Sequence, residues 1–373
     1  MKIALLGARA VGKTSYFASL YREVSSSTFL PLLDAAQMRD ARGKGQSLQS
    51  GLQISVQGQL KRDFELYSKN LASNPPVFPP RSIDIDTLDL NVVFQFRKIG
   101  ENTRTSAFHR EISFIDHAGG ALHAAVDGWE RITAELDTAD VFITFIDATA
   151  ILTLDPTERN ERLGLGAIGD MIRKLRERID EFDIIPIVFA VSKFDEVQAD
   201  PDGEARVMRF LHEEFIKPYS EQWGNVAIFV CPIAVLDPKT GGFSPMNLKW
   251  PFMFAAGATV LRNSFLLYAR MEREKAAQRG MEAEAETRRR LRRESPFKRL
   301  RLWFNEGFKT ADTFQSRADD YRRQARRSLK ASEGDKELAS LVWRCVQEYA
   351  DDTGCVTYLD GKEVNVLEMM EAL

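Results

Sequence analysis

The sequence predicts an α/β fold: a doubly wound, mostly parallel sheet, followed by a C-terminal helical extension and a small terminal hairpin. Three observations carry this prediction. A short apolar run, Lys2 to Leu6, leads directly into a glycine-rich loop and then a helical pattern. Further apolar runs at 111–115, 141–148, 183–191 and 226–230 read as buried strands. From Pro251 onward the strand signals give way to helix-favouring composition, broken only by a final Asp360-Gly361 turn.

The first element is the strand KIALL. The loop after it, Gly7-Ala8-Arg9-Ala10-Val11-Gly12-Lys13-Thr14, fits G-x-x-x-x-G-K-[ST] without deviation. Ser15 to Tyr21 then has apolar residues at helical spacing, so the loop has the strand-before, helix-after context it requires. Glycines let such a loop wrap tightly, with N–H groups turned inward at phosphate oxygens. The helix N-terminus adds partial positive charge. In this chemistry Lys13 reaches the β- and γ-phosphates and the Thr14 hydroxyl ligates Mg²⁺. The sequence therefore predicts nucleoside triphosphate binding, with Gly7, Ala10, Val11, Gly12, Lys13, Thr14 and Ser15 as the phosphate cradle.

A long segment, about 25–81, separates the first helix from the next strands. It contains Gly43-Lys44-Gly45, a helical stretch over 60–71, and the run Pro75-Pro76-Val77-Phe78-Pro79-Pro80. The alternation in Leu88 to Phe96 reads as a strand. The run 111–115 ends in Asp116-His117-Ala118-Gly119. A carboxylate there, beside the glycine loop, can hold Mg²⁺ through water, and the Gly119 amide can contact a γ-phosphate. The run 183–191 ends in Ser192-Lys193-Phe194-Asp195, and 226–230 ends in Cys231-Pro232-Ile233-Ala234.

The ordered series GARAVGKT, DHAG, SKFD and CPIA resembles the Ras-like P-loop GTPases of the translation-factor-related class, over about residues 1–260. Within that class it is most similar to bacterial GTPase-like proteins of the double-GTPase and conflict-system type. The resemblance implies a cytoplasmic GTP-binding switch with Mg²⁺-dependent hydrolysis, whose nucleotide state controls a protein partner or answers to an activator. It implies that Asp195 accepts the N1–H and N2–H₂ donors of guanine, that Ser192 and Lys193 brace the base, and that the Ile233 amide meets the guanine oxygen. Adenine lacks that donor pair, so a buried carboxylate would go unmatched. It further implies Thr14, Asp116 and a switch hydroxyl around Mg²⁺. Ser82 and Thr87 are the candidates for that hydroxyl, with Ser82 preferred because relatives place it after a proline-containing stretch.

Three departures bear on this reading. Ser192 stands where Asn or Thr is usual. Gly120 stands where many relatives carry a water-orienting Gln, which predicts slow unaided hydrolysis or a water-positioning group from elsewhere; His117 and His123 are nearby groups that either position water or simply face solvent. Arg9 sits in the loop where many relatives have Gly; it acts as an arginine finger in cis, obstructs one in trans, or is solvated. The rival expectations are a P-loop ATPase or kinase, and a non-hydrolysing scaffold working through its basic helices.

Composition frames these motifs. The chain has 373 residues, 44% of them hydrophobic, and a net charge of −3, which disfavours a dedicated nucleic-acid binder. That average hides a split: residues 262–330 hold 20 Lys and Arg against 10 Asp and Glu, and the remainder holds 31 against 44. Three cysteines (Cys231, Cys345, Cys355) and four histidines, with no CxxC or Cys/His cluster, point away from a disulfide framework or structural zinc and toward a reducing compartment. The apolar stretch 251–261 is too short to span a bilayer. The expected organisation is a nucleotide-binding domain over 1–260, a basic helical arm over 261–331 and a small helix-hairpin module over 332–373. Within the arm, Ser295-Pro296 opens an amphipathic segment, 295–308, with Phe297, Leu300, Phe304 and Phe308 on one face. That face suits intramolecular packing, a partner, or an anionic membrane surface. The sequence sets no oligomeric state.

Overall fold

The computed structural model describes residues 2–8, 10–25, 30–31, 48–56, 59–79, 86–98, 105–116, 139–177, 185–198, 200–218, 226–294, 311–350, 354–359 and 362–365. Its strands are β1 (Lys2–Leu6), β2 (Leu30–Pro31), β3 (Leu48–Val56), β4 (Asp86–Lys98), β5 (Thr105–Asp116), β6 (Val141–Asp147), β7 (Ile185–Ser192), β8 (Val226–Pro232), β9 (Ala234–Leu236), β10 (Phe243–Met246), β11 (Val356–Leu359) and β12 (Lys362–Glu363). Helices α1 (Lys13–Ser25) and α2 (Gln59–Leu71) lie early in the chain. They are followed by α3 (Ala148–Thr153), α4 (Pro156–Leu163), α5 (Leu165–Glu177), α6 (Phe194–Val197) and α7 (Gly203–Leu211), then α8 (Lys249–Glu294) and α9 (Ala311–Ala350).

Ten strands form one sheet in the order β12-β11-β8-β7-β6-β1-β5-β4-β3-β2. Its six-strand heart, β8 to β4, is mostly parallel: β8, β7, β6, β1 and β5 run together and β4 is antiparallel to β5. The fold is therefore α/β with a helical C-terminal part. Parallel strands at the middle of such a sheet have both faces covered, so they read as unbroken apolar runs. β6 and β8 are buried at every residue. The core beside them gathers Leu6, Phe142, Ile146, Ile168, Ile172, Ile187, Phe189, Phe215 and Ile228. After β1 the chain builds β2 to β5 on one side of it, then β6 to β8 on the other. The strand order thus reverses at β1, and in open α/β sheets the crevice beyond such a reversal is where ligands bind.

The segment 25–81 contributes more than the helix read from its sequence. It also supplies β3, which pairs antiparallel with β4 from Leu48↔Lys98 to Val56↔Leu90. The run LQSGLQISV, with Gly and Ser among its apolar positions, carries little strand signal of its own.

The chain divides into two compact units: 1–259 with 338–373, and 260–337. The residues expected as a separate terminal module, 332–373, are therefore split. From Leu338 they belong to the first unit for two reasons. β11 lies antiparallel on β8, from Val356↔Val230 to Leu359↔Ala227. Trp343 is wholly buried, stacks on Phe254 at 5.2 Å, and donates from Nε1 to the Phe254 carbonyl at 3.2 Å. A Cβ at Gly257 would lie 2.3 Å from that indole nitrogen, so the indole occupies the space a larger residue would need.

The second unit is a pair of antiparallel helical segments from α8 and α9. Polar contacts step along its seam: Asn263 to Asp335 at 2.6 Å, Ser264 to Ser332 at 3.1 Å, Ser328 to Glu274 at 3.0 Å, and Arg322 to Glu282 at 2.7 Å. Many of its basic residues face acidic ones, including Arg288 with Glu284 and Arg323 with Asp320. The amphipathic segment 295–308 lies outside the described residues. Among those described, one helical stretch, Lys249–Arg290, is long and apolar enough to cross a membrane, and 61% of its apolar window is buried inside the protein.

Candidate functional site

The glycine loop sits where the strand reversal predicts a crevice. β1 ends at Leu6 and α1 begins at Lys13, so the six residues between must turn the chain sharply. They do so with positive φ at Gly7 (145°), Ala10 (65°) and Gly12 (95°). Gly7 is constrained by space as well: a Cβ there would lie 2.9 Å from the Phe145 Cβ and 3.0 Å from the Phe145 carbonyl oxygen. Lys13 is 6% exposed, and its ammonium donates to the Gly7 carbonyl at 2.9 Å, closing the loop on itself. The Tyr16 amide donates to Gly12 at 2.8 Å, the first bond of the helical ladder. Amides in the first turn of α1 have no intrahelical partner and carry the positive end of the helix dipole.

The SKFD segment follows β7 on the other side of β6. Ser192 ends the strand and its hydroxyl donates to the Ile146 carbonyl at 3.2 Å. Lys193 adopts left-handed backbone (φ 58°, ψ 34°), which turns the chain into α6. Its ammonium meets the Asp147 carboxylate at 2.6 Å. Asp147 is 2% exposed, the last residue of β6 and the N-cap of α3, accepting from the Thr149 amide at 3.1 Å and the Thr149 hydroxyl at 2.6 Å. One buried carboxylate thus ends a strand, starts a helix and holds Lys193.

The CPIA segment is tied to SKFD through its backbone. The Ile233 amide donates to Val191 at 2.8 Å, and the Phe194 amide donates to Ile233 at 3.2 Å. Asn247 anchors the same turn by donating to the Pro232 carbonyl at 2.9 Å. Burial raises the pKa of the Asp195 carboxyl; its own backbone amide and Lys193 oppose the shift.

A cavity of about 460 Å³ joins these parts. Ala10, Val11, Gly12, Lys13, Thr14 and Ser15 line one end; Ser192, Lys193, Asp195 and Ile233 line the other. Ten of the residues singled out in the sequence are therefore brought together. Gly7 underlies the loop without lining the cavity. Asp116 closes β5, where its backbone is register partner to Leu5 of β1 and to Asp86 of β4. Thr87 is one step along β4, opposite Ile115. Arg9, Ser82, His117, Gly119, Gly120 and His123 lie outside the described residues. Among the described residues no group of three or more His, Cys, Asp or Glu could hold a metal ion.

Sequence reasoning missed several lining residues. Phe78 and Pro79 reach the cavity from the proline-rich run, and Glu196 and Ala234 to Leu236 complete its wall. Asp147 was missed as the partner of Lys193. A signal existed: it is a carboxylate at the end of an apolar strand, the same placement that singled out Asp116.

No protein-family model matches the chain, and comparison with curated proteins finds no match.

Proposed function

We propose that the chain is a Ras-like P-loop GTP-binding switch with slow Mg²⁺-dependent GTP hydrolysis. The observation that carries this reading is the single cavity that runs from the Lys13 loop to Asp195 and Ile233. One end offers a buried ammonium and helix N-terminal amides, suited to phosphates. The other offers a carboxylate and a hydrophobic wall, suited to a base with two adjacent donors. The strand order, with β1 central and only β4 antiparallel in the six-strand heart, supports the same class.

The residues fit the ligand chemically. Gly7 cannot carry a side chain without displacing Phe145, so the loop packs closely on the strand beneath it. Lys13 would shift from the Gly7 carbonyl to phosphate oxygens, a charge-assisted exchange. Thr14 would contribute a hydroxyl to Mg²⁺, which neutralises phosphate charge and keeps most of its shell as water and phosphate oxygen. That donor set needs no cluster of protein carboxylates. Lys193, held by Asp147, would present its methylene stem to the base, while Asp195 selects guanine. Asp116, Ser82, Arg9 and His117 keep their proposed roles in the metal shell and around the attacked phosphate. The segment 25–81 and the basic helices are the surfaces through which nucleotide state would reach a protein partner. An anionic membrane is the alternative target of 295–308.

The test is titration of metal-loaded full-length protein with GTP and ATP analogues, beside the Asp195→Ala variant. Tighter GTP binding that is lost in the variant supports the reading. Equal affinities unaffected by the substitution would overturn guanine selection and favour a P-loop ATPase or kinase. Binding without turnover, with or without cell extract as a source of activator, would favour the scaffold.

A further inference from the structure

Two of the three cysteines meet at the far edge of the parallel strands. Cys231 lies in β8, and Cys355 directly precedes β11. The antiparallel register Val356↔Val230 extends by one step to place them opposite each other. Their sulfurs are 3.2 Å apart, with the Cys355 thiol directed at Cys231, and neither is in a disulfide. Both are buried, but unequally: Cys231 is 0% exposed and Cys355 is 7%. Cys355 also adjoins the exposed Gly354, whose φ of 75° turns the chain into β11. Packing alone asks only for two small apolar side chains here; it does not ask for thiols in direct register.

We propose that Cys231 and Cys355 are a thiol–disulfide site, closed by a peroxide and reopened by a dithiol reductant, that fastens the C-terminal strand to the strand leading into the candidate nucleotide cavity. The inference rests on sulfur geometry and does not require the GTPase reading. Disulfide bonds are about 2.05 Å long, so the sulfurs must approach by about 1.1 Å, within reach of side-chain rotation and a small strand shift.

The chemistry balances with hydrogen peroxide as oxidant. The Cys355 thiol gives up its proton, the thiolate attacks one peroxide oxygen, the O–O bond breaks, and sulfenic acid forms as hydroxide leaves and takes that proton to become water. The Cys231 thiolate then attacks the Cys355 sulfur and expels the hydroxyl, which takes a proton and leaves as a second water. Two thiols lose two electrons and two protons; one peroxide becomes two waters. Cys355 reacts first because it is nearer solvent. Burial, and next the neighbouring Cys355, push the Cys231 thiol well above its ordinary pKa.

A cross-link here would bear on the cavity through the backbone. From Cys231 the chain passes through Pro232 to Ile233, whose amide bonds Val191, and on to the cavity wall at Ala234 to Leu236. A bond at Cys231 therefore acts on the strand that positions this wall.

The experiment treats full-length protein with stoichiometric hydrogen peroxide, alkylates under denaturing conditions, and maps peptides without reduction. The expected product joins the Cys231 and Cys355 peptides with loss of two hydrogens, carries alkylated Cys345, and disappears after dithiothreitol. Amide exchange at 356–359 should slow at least severalfold in the oxidised protein and be unchanged by peroxide in Cys355→Ser. Recovery of both thiols alkylated, over-oxidised Cys355 beside reduced Cys231, or a cross-link to Cys345 would overturn the site. A cross-link without slower exchange would overturn the fastening. Nucleotide affinity is not read, so failure here and failure of the GTPase reading are distinguishable.

Discussion

The two ends of the cavity are built by different means. At the end proposed to take phosphates the backbone would do the recognition: positive φ at Gly7, Ala10 and Gly12 turns the chain, and the Lys13 ammonium is bonded to the Gly7 carbonyl. At the end proposed to take the base the backbone provides a frame and side chains would do the recognition: Asp195 lines the cavity, and Lys193 is paired with Asp147. Backbone recognition constrains residue type at almost every position, because few residues tolerate φ > 0 or leave room for close approach. Side-chain recognition constrains only the groups that touch and their supports, and the supports come from distant sequence. The phosphate end should therefore be brittle to single changes, and the base end graded.

The largest effect is expected from Lys13→Ala. Losing a charge-assisted contact to phosphate should weaken triphosphate binding by about 100-fold or more, about 3 kcal/mol, and diphosphate binding by less. Calorimetry with both nucleotides checks this. Equal losses for the two would show that Lys13 does not distinguish the γ-phosphate, and would break the contrast at its stronger end.

Next is Asp147→Ala, which removes the cap of α3 and the partner of Lys193 together. Loss of a cap and of a buried charged hydrogen bond should cost about 2–3 kcal/mol of stability, read by urea denaturation. Asp147→Asn should recover part of the cap and leave base affinity reduced. Wild-type base affinity in the Asn variant would show that Lys193 needs no carboxylate behind it.

Asp195→Asn should show opposite effects on binding and stability. Guanine preference over adenine should fall at least about tenfold, because the amide presents a donor where the base has one. Stability of the ligand-free protein should change the other way. Burial raises the folded-state pKa of Asp195, so the folded chain holds this proton more tightly than the unfolded chain. The stabilisation from protonation is complete at low pH and is lost as pH rises through the raised value. At neutral pH the ionised carboxylate therefore destabilises the ligand-free fold, and the Asn variant should melt at a higher temperature. For the wild type, guanine affinity should begin to fall on acidification at a pH above the ordinary Asp range. A binding profile flat down to about pH 4, the ordinary Asp value, would remove Asp195 from base recognition.

The smallest effect is expected at Ser192→Ala. Its hydroxyl makes one bond, to the Ile146 carbonyl, so the loss should be about 1 kcal/mol of stability, seen in the same urea series. An Asn there, the residue common in relatives of the resembled class, should tighten guanine binding if Ser192 limits it.

The same contrast explains what could be read from the sequence. The glycine loop was legible because its backbone demands leave a residue pattern, G-x-x-x-x-G-K-T, that chance seldom produces. The strands β1, β6, β7 and β8 were legible because burial on both faces makes them continuously apolar. β3 was not, since its Gly and Ser positions interrupt the pattern and its stability comes from nine paired positions along β4. Lys193 and Asp195 stand out in their local motif. Asp147 lies 46 residues away from Lys193, and only strand register, Asp147 beside Ser192, brings it there. The terminal strand is recognisable as a hairpin but not as part of the main sheet, because a pairing across more than a hundred residues leaves no local trace. The start of α9 hides its seam, because its Arg- and Asp-rich face resembles a solvated arm.

The sheet's outer strands have a further consequence. Among the described residues the sheet ends on β2 at one side and β12 at the other, each two residues long. β2 contains Pro31, which has no N–H to offer, and β12 consists of Lys362 and Glu363. Open strand edges invite strands from other molecules, and brevity, proline and charge are the devices that deny them a template. A ten-stranded sheet of this width would otherwise be a hazard during synthesis, when many copies are near one another. Among the described residues the proline in β2 and the charged pair in β12 are two such devices, so replacing Lys362 and Glu363 with uncharged β-branched residues should make the chain more prone to self-associate.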